Sequence, residues 1–328
     1  MKAILVKQPG GAENLFLGES PMPEIGEDEI LIRVKAAALN RADILQREGK
    51  YPPPPGASPI LGMDAAGIVE KTGRKTTRWK TGDRVMALLP GGAYAEFAAV
   101  PEALALPIPE KFSFEEGAAI PEVFLTAYQT LFWLGEIQRG SRVLIHAGAS
   151  GVGTAAIQLA REAGAAGIFV TAGSEGKIDA CLKLGATAGM NYKNGPWIDR
   201  VLELTGQKGA DLILDFIGAP YWEQNLKALD QEGRLILIAA MGGVKVEKFN
   251  LLPFLAKKLH VMGTTLRSRD LNYKARLTEE FAAFALPRFE SGKLRPLVDR
   301  VLPWQDAQEA HLYMEENRNV GKIVLRVS

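Results

Sequence analysis

The sequence predicts an α/β protein of two domains, one a doubly wound parallel sheet and the other rich in β-strands. Three observations carry this. A glycine-rich turn, GASGVG (Gly148 to Gly153), joins an apolar run to a helical one. Strand and helix patterns alternate from about Ala119 onward. Before that point, short apolar strands are punctuated by Gly and Pro turns and a single helix.

The strand RVLIHA (Arg142 to Ala147), the turn, the helix TAAIQLAREAG closed by Gly164 and the strand GIFVT (Gly167 to Thr171) make one βαβ unit of about thirty residues. Such a turn offers backbone N–H groups to a pyrophosphate at the positive end of a helix. The run departs from Gly-x-Gly-x-x-Gly, with Gly148, Ser150 and Gly153 in the three places and Gly151 beside them. An ordinary tight turn is the alternative; the strand on either side favours a nucleotide. AGMNY, DLILDFIG, RLILIAA and HVMGTTL complete six strands, with WIDRVLELTG and YWEQNLKAL as helices among them. Ligands of such a sheet bind at the carboxyl ends of its strands.

In the earlier part, ILIRVKAAAL, AAGIVEKTG, DRVMALL and YAEFAAV read as strands. One helix interrupts them, NRADILQREG, with Asn40 as N-cap and Gly49 as C′. The loop YPPPPG (Tyr51 to Gly56) follows. The closing strand GKIVLRV is expected to pair back into this first domain.

Composition limits the function. The 328 residues are 47% apolar and 23% charged, with a formal net charge of +1. That balance, without a basic run, counts against nucleic acid as the main partner. The N-terminus MKAILVKQPGG is too short and polar for a signal peptide, and no apolar stretch nears the roughly eighteen residues that span a bilayer. The expectation is a cytoplasmic protein with no membrane partner. The one cysteine, Cys181, excludes an internal disulfide; with Ile178 and Leu182 it falls on a buried helix face.

The end of the second strand of the βαβ unit discriminates between cofactors. A site for NAD places an Asp or Glu there, on the ribose hydroxyls. This chain has Ala172, Gly173 and Ser174, and then Lys177 in the first turn of the next helix. A cation there opposes the helix dipole unless an anion meets it, as a 2′-phosphate would. Glu175 weakens that field, and a solvated surface lysine is the bland alternative. The cofactor is read as NADPH.

Zinc alcohol dehydrogenases of the medium-chain dehydrogenase/reductase superfamily carry a Gly-His-Glu run and several cysteines in the first domain. Here GMDAAG (Gly62 to Gly67) puts Met63 and Asp64 in those places. His146, His260 and His311, the only histidines, are scattered. No metal is expected.

Together, NRADILQREGKYPPPPG, ILGMDAAGIVE, TGDRVMALLPGGAYAEF, AAIPEVFLTAY, VLIHAGASGVGTAAIQLAR, AGMNY, LRSRD and GKIVL resemble the zinc-independent quinone oxidoreductases, the zeta-crystallin-like branch of that superfamily, nearly end to end. Within it, the NRAD, YPPPPGAS, LLPGG and HAGASGVGTAAIQ runs are similar to the subgroup induced by a tumour-suppressor transcription factor. The resemblance implies a GroES-like β-barrel catalytic domain (1–124 and 270–328) and a Rossmann doubly wound six-stranded parallel sheet binding NADPH (125–269). It implies a pyrophosphate on Ala149, Ser150, Gly151 and Val152, and a 2′-phosphate at Lys177 and Tyr192, with Gly173 and Ser174 lining the pocket. Tyr192 has packing as its alternative role. An arginine that the family often carries for this phosphate is matched here by Asn317. Ile217, Met241, Gly242, Gly243, Leu266 and Ser268 would line the nicotinamide half, and Thr126 would touch the nicotinamide or cap a helix.

The resemblance also places Asn40, Asp43 and Tyr51 around the acceptor, with Tyr51 able to donate to a carbonyl. Each has a bland reading: Asn40 as a cap, Asp43 with Arg47 as an i,i+4 ion pair, and Tyr51 as cover for the proline loop. The resemblance implies transfer of reducing equivalents from NADPH to a quinone. Reduction of an enone or alkenal double bond is the alternative, and a non-catalytic NADPH-binding or RNA-binding role the reading from another class. The apolar edge strand HVMGTTL (His260 to Leu266) lacks charged guards, and a homodimer would cover it.

Overall fold

The computed structural model describes residues 1–327. They form two compact units, one of Met1–Leu125 with the chain from Leu266 onward, the other of Thr126–Thr265. In the first, β1 (Lys2–Val6) and β2 (Leu15–Glu19) make an antiparallel hairpin. β3 (Glu29–Ala38) leads to α1 (Arg41–Arg47), and β4 (Asp64–Thr72), β5 (Arg84–Leu88), β6 (Phe97–Pro101) and β7 (Ala105–Pro107) follow. Two short helices, α2 (Phe114–Ala118) and α3 (Pro121–Tyr128), close this stretch. Ile30, Ile32 and Val34, at the period of two of a strand, bury one face of β3 in a core shared with Val85, Ala87 and Val100. Each such side chain contributes about 1.5–3 kcal/mol.

The second unit starts with β8 (Arg142–Ile145), α4 (Gly151–Glu162), β9 (Gly167–Ala172), α5 (Glu175–Leu184), β10 (Ala188–Asn191) and α6 (Ile198–Leu204). It continues through β11 (Ala210–Asp215), α7 (Trp222–Ala228), β12 (Leu229–Leu237), α8 (Leu252–Lys257) and β13 (His260–Gly263). The six strands are parallel, in the order β10-β9-β8-β11-β12-β13. The order reverses between β8 and β11, the switch point at which doubly wound sheets bind ligands. Every residue of β9 is buried, as expected of a parallel strand covered on both faces.

The chain then adds α9 (Leu271–Glu290), β14 (Val298–Pro303), α10 (Ala307–Glu315) and β15 (Lys322–Arg326) to the first unit. β15 lies antiparallel to the end of β3, pairing Val324 with Ala38, so the closing strand does return to the first sheet. That sheet runs β14-β15-β3-β4-β5-β7, with β6 on the first half of β3.

Four local expectations need correction. Leu182 is not on the buried face of α5 with Ile178 and Cys181; it is 39% exposed. α4 begins at Gly151, three residues before the apolar pattern does, because Ser150 caps it. β12 begins at Leu229, five residues before RLILIAA, with a bulge and a left-handed Glu232 (φ 59°) between its two paired stretches. The edge strand is only His260–Gly263; Thr264 gives one more bond to Leu237 O (3.0 Å), and Leu266 already belongs to the first unit. Among the described residues no helix is long and apolar enough to cross a membrane.

Candidate active site

The glycine-rich turn is built by steric exclusion. A Cβ on Gly148 would lie 2.6 Å from Val170 Cβ, and one on Gly153 2.5 Å from the carbonyl oxygens of Ala147 and Gly148. Only glycine lets α4 start this close to β8 and β9. Ala147 itself is left-handed (φ 48°), an uncommon conformation for a residue with a Cβ. The first N–H groups of a helix have no intrahelical acceptor. Ser150 Oγ takes that of Gly153 at 3.1 Å, which leaves the Gly151–Val152 end of α4 the natural anion seat.

After β9 the chain passes through Gly173 to Ser174, whose side chain caps α5 by accepting from Lys177 N at 3.4 Å. The Tyr192 hydroxyl lies over Gly173, 2.6 Å from where a Cβ would be. Tyr192 is 45% exposed, its ring resting partly on this glycine. Glu175 accepts from Asn191 Nδ2 (3.0 Å) beside this group. Gly173, Ser174 and Tyr192 thus meet at the carboxyl end of β9, which itself ends without an acid, and Lys177 follows in the first turn of α5.

The loops after β11 and β12 are tied together. Ala219 N donates to Gly243 O (2.9 Å) and Gly242 N to Ile217 O (2.9 Å), so Ile217 and Met241–Gly243 form one wall. Asp215 holds this wall from below, accepting from Ile217 N (2.7 Å), Gly218 N and Asn225 Nδ2 (3.0 Å). Asn225 also meets His146 Nε2 at 2.7 Å. Burial pushes Asp215 up to about 6 and His146 down to about 4. Thr126 lies within α3, not at its start, so it caps no helix.

The first unit carries a buried polar hub. Lys322 Nζ, at the start of β15, donates to Asp64 Oδ2 (2.9 Å), Leu39 O (2.7 Å) and Asn40 Oδ1 (2.7 Å). Asp64 also accepts from Asn40 Nδ2 (2.9 Å) and Glu122 N (2.7 Å). Asp43 accepts from Asn40 N (2.8 Å) and Gly62 N (3.2 Å). Burial raises Asp43 to about 6 against those two bonds and the nearby Lys322 charge.

Asp43 and Arg47 are no surface ion pair: both are 1% exposed and turn to different partners. Arg47 donates to Gly10 O (2.9 Å), Glu315 Oε1 (2.5 Å) and His311 Nδ1 (3.1 Å). Because guanidinium only donates, Nδ1 accepts and the His311 proton sits on Nε2, facing Tyr94 Oη at 3.4 Å. Burial and Arg47 hold His311 down at about 3.

Tyr51 lies outside this hub. The Arg267 guanidinium covers its ring at 5.3 Å from the centroid. Leu266 and Ser268 flank Arg267 and belong, like it, to the first unit. Asn317 Oδ1 accepts from Arg41 (2.8 Å). No local pattern in the sequence marks Lys322, Tyr94, His311 or Arg267 as site residues, apart from Lys322 opening an otherwise apolar strand.

Residues 26–110 match a family described as alcohol dehydrogenase GroES-like domain, and residues 151–285 one described as zinc-binding dehydrogenase. The rat quinone oxidoreductase is 31% identical over 99% of this chain and 97% of its own length. The chain belongs to the zeta-crystallin-like quinone oxidoreductase family. The Escherichia coli quinone oxidoreductase, solved with NADPH, superposes with a TM-score of 0.89 at 31% identity, covering 99% of this chain and 100% of that one. The CurK enoyl reductase superposes at 0.86 with 28% identity, covering 100% and 99%.

Zinc, named in one family description, does not fit these residues. The carboxylate of Asp64 holds an ammonium, Met63 offers only a thioether, and no group of three His, Cys, Asp or Glu among the described residues is arranged to hold a metal.

Removing the Lys322 charge leaves Asp64 buried without its counter-ion. Lys322→Met is expected to cost about 3–5 kcal/mol in denaturant unfolding, and adding Asp64→Asn to recover part of it. Unchanged stability in Lys322→Met would show that the hub is not what holds β15.

Proposed function

We propose that this protein is an NADPH-dependent quinone oxidoreductase working without a metal. The observation that carries the cofactor reading is the carboxyl end of β9, where the Tyr192 hydroxyl lies over Gly173 and the strand ends in Ala172, Gly173 and Ser174 where an NAD site has its acid, while Glu175 in the next helix accepts from Asn191. Lys177 and Tyr192 take the 2′-phosphate, with Ser174 and Gly173 beneath it. The turn from Ala149 to Val152 takes the pyrophosphate, and the Ile217 and Met241–Gly243 wall, with Thr126, Leu266 and Ser268, serves the nicotinamide half. Bound NADPH supplies a hydride. Asn317, bonded to Arg41, is assigned only a neighbouring role.

A quinone is already electrophilic, so alignment and one hydrogen-bond donor suffice. We assign the donor role to the Tyr51 phenol, which holds its proton: burial raises its pKa, although Arg267 opposes this. Asn40 and Asp43, whose polar atoms face the hub, position the start of α1. Reduction of an activated double bond is the second reading, favoured by the full-length likeness to the CurK enoyl reductase. Parallel rates with a quinone and an enone decide between them.

We also infer a cytoplasmic homodimer. Val244, Phe249, Leu251, Leu252 and Leu255 are each more than half exposed, in the segment that precedes the edge strand β13. A second copy pairing along β13 would cover them. Sedimentation at micromolar concentration is expected to give a dimer; a monomer alone would refute this.

NADPH is expected to bind far more tightly than NADH. Lys177→Ala should lose about 1.5–3 kcal/mol of NADPH affinity, the range for hydrogen bonds to charged groups, and leave NADH nearly unchanged. Calorimetric titration measures both, and equal affinity of the wild type for the two cofactors would overturn the reading.

A further inference from the structure

The LRSRD run contains a cation that the proposed chemistry leaves unexplained. Arg267 is 7% exposed, and its guanidinium is fixed at two points. Nε and Nη2 both donate to Pro90 O, at 2.7 and 2.5 Å, and Nη2 donates to Gln46 Oε1 at 2.6 Å. No carboxylate is bonded to it. Its third nitrogen, Nη1, is buried and has no hydrogen-bond acceptor. A buried charged donor without an acceptor is costly, and what faces this guanidinium is the Tyr51 ring. A ring face is a weak acceptor for cations, contributing about 0.5–2 kcal/mol.

The loop that begins at Tyr51 is bracketed by the same residues. Tyr51 N donates to Leu45 O on α1 (3.2 Å), and Gln46, the next residue, donates from Nε2 to Pro59 O (3.0 Å), four residues beyond the proline run. Gln46 therefore holds the end of the loop with one side-chain atom and Arg267 with the other. Pro90, the second anchor of Arg267, precedes the Gly91–Gly92 turn, where a Cβ on Gly91 would meet Ser58 O at 2.6 Å. Three segments far apart in sequence, around residues 46–59, 90–92 and 267, thus meet at one guanidinium.

We propose that Arg267 is a positioning residue: clamped by Pro90 and Gln46, it fixes the Tyr51 ring from one face and sets a permanent positive charge beside the phenol, making Tyr51 a stronger donor to the acceptor oxygen. This rests on the donor role proposed for Tyr51. The charge argument has a definite sign. The cation favours the phenolate, and so polarises O–H toward any oxygen on which negative charge develops. Burial acts the other way on Tyr51, as does Glu122, while Asp43 is the acidic neighbour of Arg267 itself.

The test is a double-mutant cycle with two readouts. Arg267→Met and Arg267→Gln, the second keeping a donor for the anchors, are each made in the wild type and in Tyr51→Phe. Kinetics with NADPH and 1,4-benzoquinone are expected to show kcat falling about tenfold in either Arg267 variant, less than the ~10²-fold typical of losing a whole oxyanion donor. The same substitutions in Tyr51→Phe should have little further effect. In the absence of substrate, the ultraviolet titration signal that Tyr51→Phe removes should move to higher pH when Arg267 is replaced.

Equal losses with and without the Tyr51 hydroxyl, or a Tyr51 titration indifferent to Arg267, would overturn the proposal. If Tyr51→Phe alone were inert while the titration still moved, the donor role of Tyr51 would fall and the coupling to Arg267 would stand. Should Arg267→Met not fold, Arg267→Gln carries both measurements.

Discussion

The Lys322–Asp64 ion pair is the contact on which the first unit depends. Its partners lie 258 residues apart, on strands at opposite ends of the chain. Buried ion pairs are weak evidence of stability, because desolvation can exceed the Coulomb attraction. This one is fully hydrogen-bonded: the ammonium has three oxygen acceptors, and both carboxylate oxygens of Asp64 are engaged. Full satisfaction of this kind favours one arrangement over the alternatives. It fixes Asn40, hence the start of α1, hence Asp43 and Gln46 one turn further on, and so the root of the Tyr51 loop.

The second unit uses backbone in place of charge. The helix starts and loop amides at the carboxyl ends of its strands are brought close by glycines, with side chains such as Ser150, Ser174 and Asp215 holding the turns. Such a surface suits a ligand whose phosphates are constant and whose identity is read at one point, the end of β9.

Much of the second unit was legible in the sequence because its signals are local. The βαβ run, its glycines and the missing acid after β9 all lie within about thirty residues, and the apolar runs read directly as parallel strands. The hub of the first unit was not legible. No spacing links Lys322 to Asp64 or Arg47 to His311, and i,i+4 spacing suggested an Asp43–Arg47 pair that the fold separates. The helix start is set by Ser150 rather than by apolar periodicity, and the strand β13 ends where the chain passes into the other unit, features that only tertiary context decides. In the sequence Arg267 is only one residue of LRSRD; its role comes from Pro90 and Gln46, which no sequence window contains together.

In the first unit an ammonium, not a metal, occupies the Asp64 carboxylate. The direct measurement is NADPH oxidation with 1,4-benzoquinone before and after exhaustive dialysis against EDTA. Turnover is predicted to be unchanged, because no donor set among the described residues fits zinc. Loss of turnover on dialysis, restored by adding zinc, would contradict it.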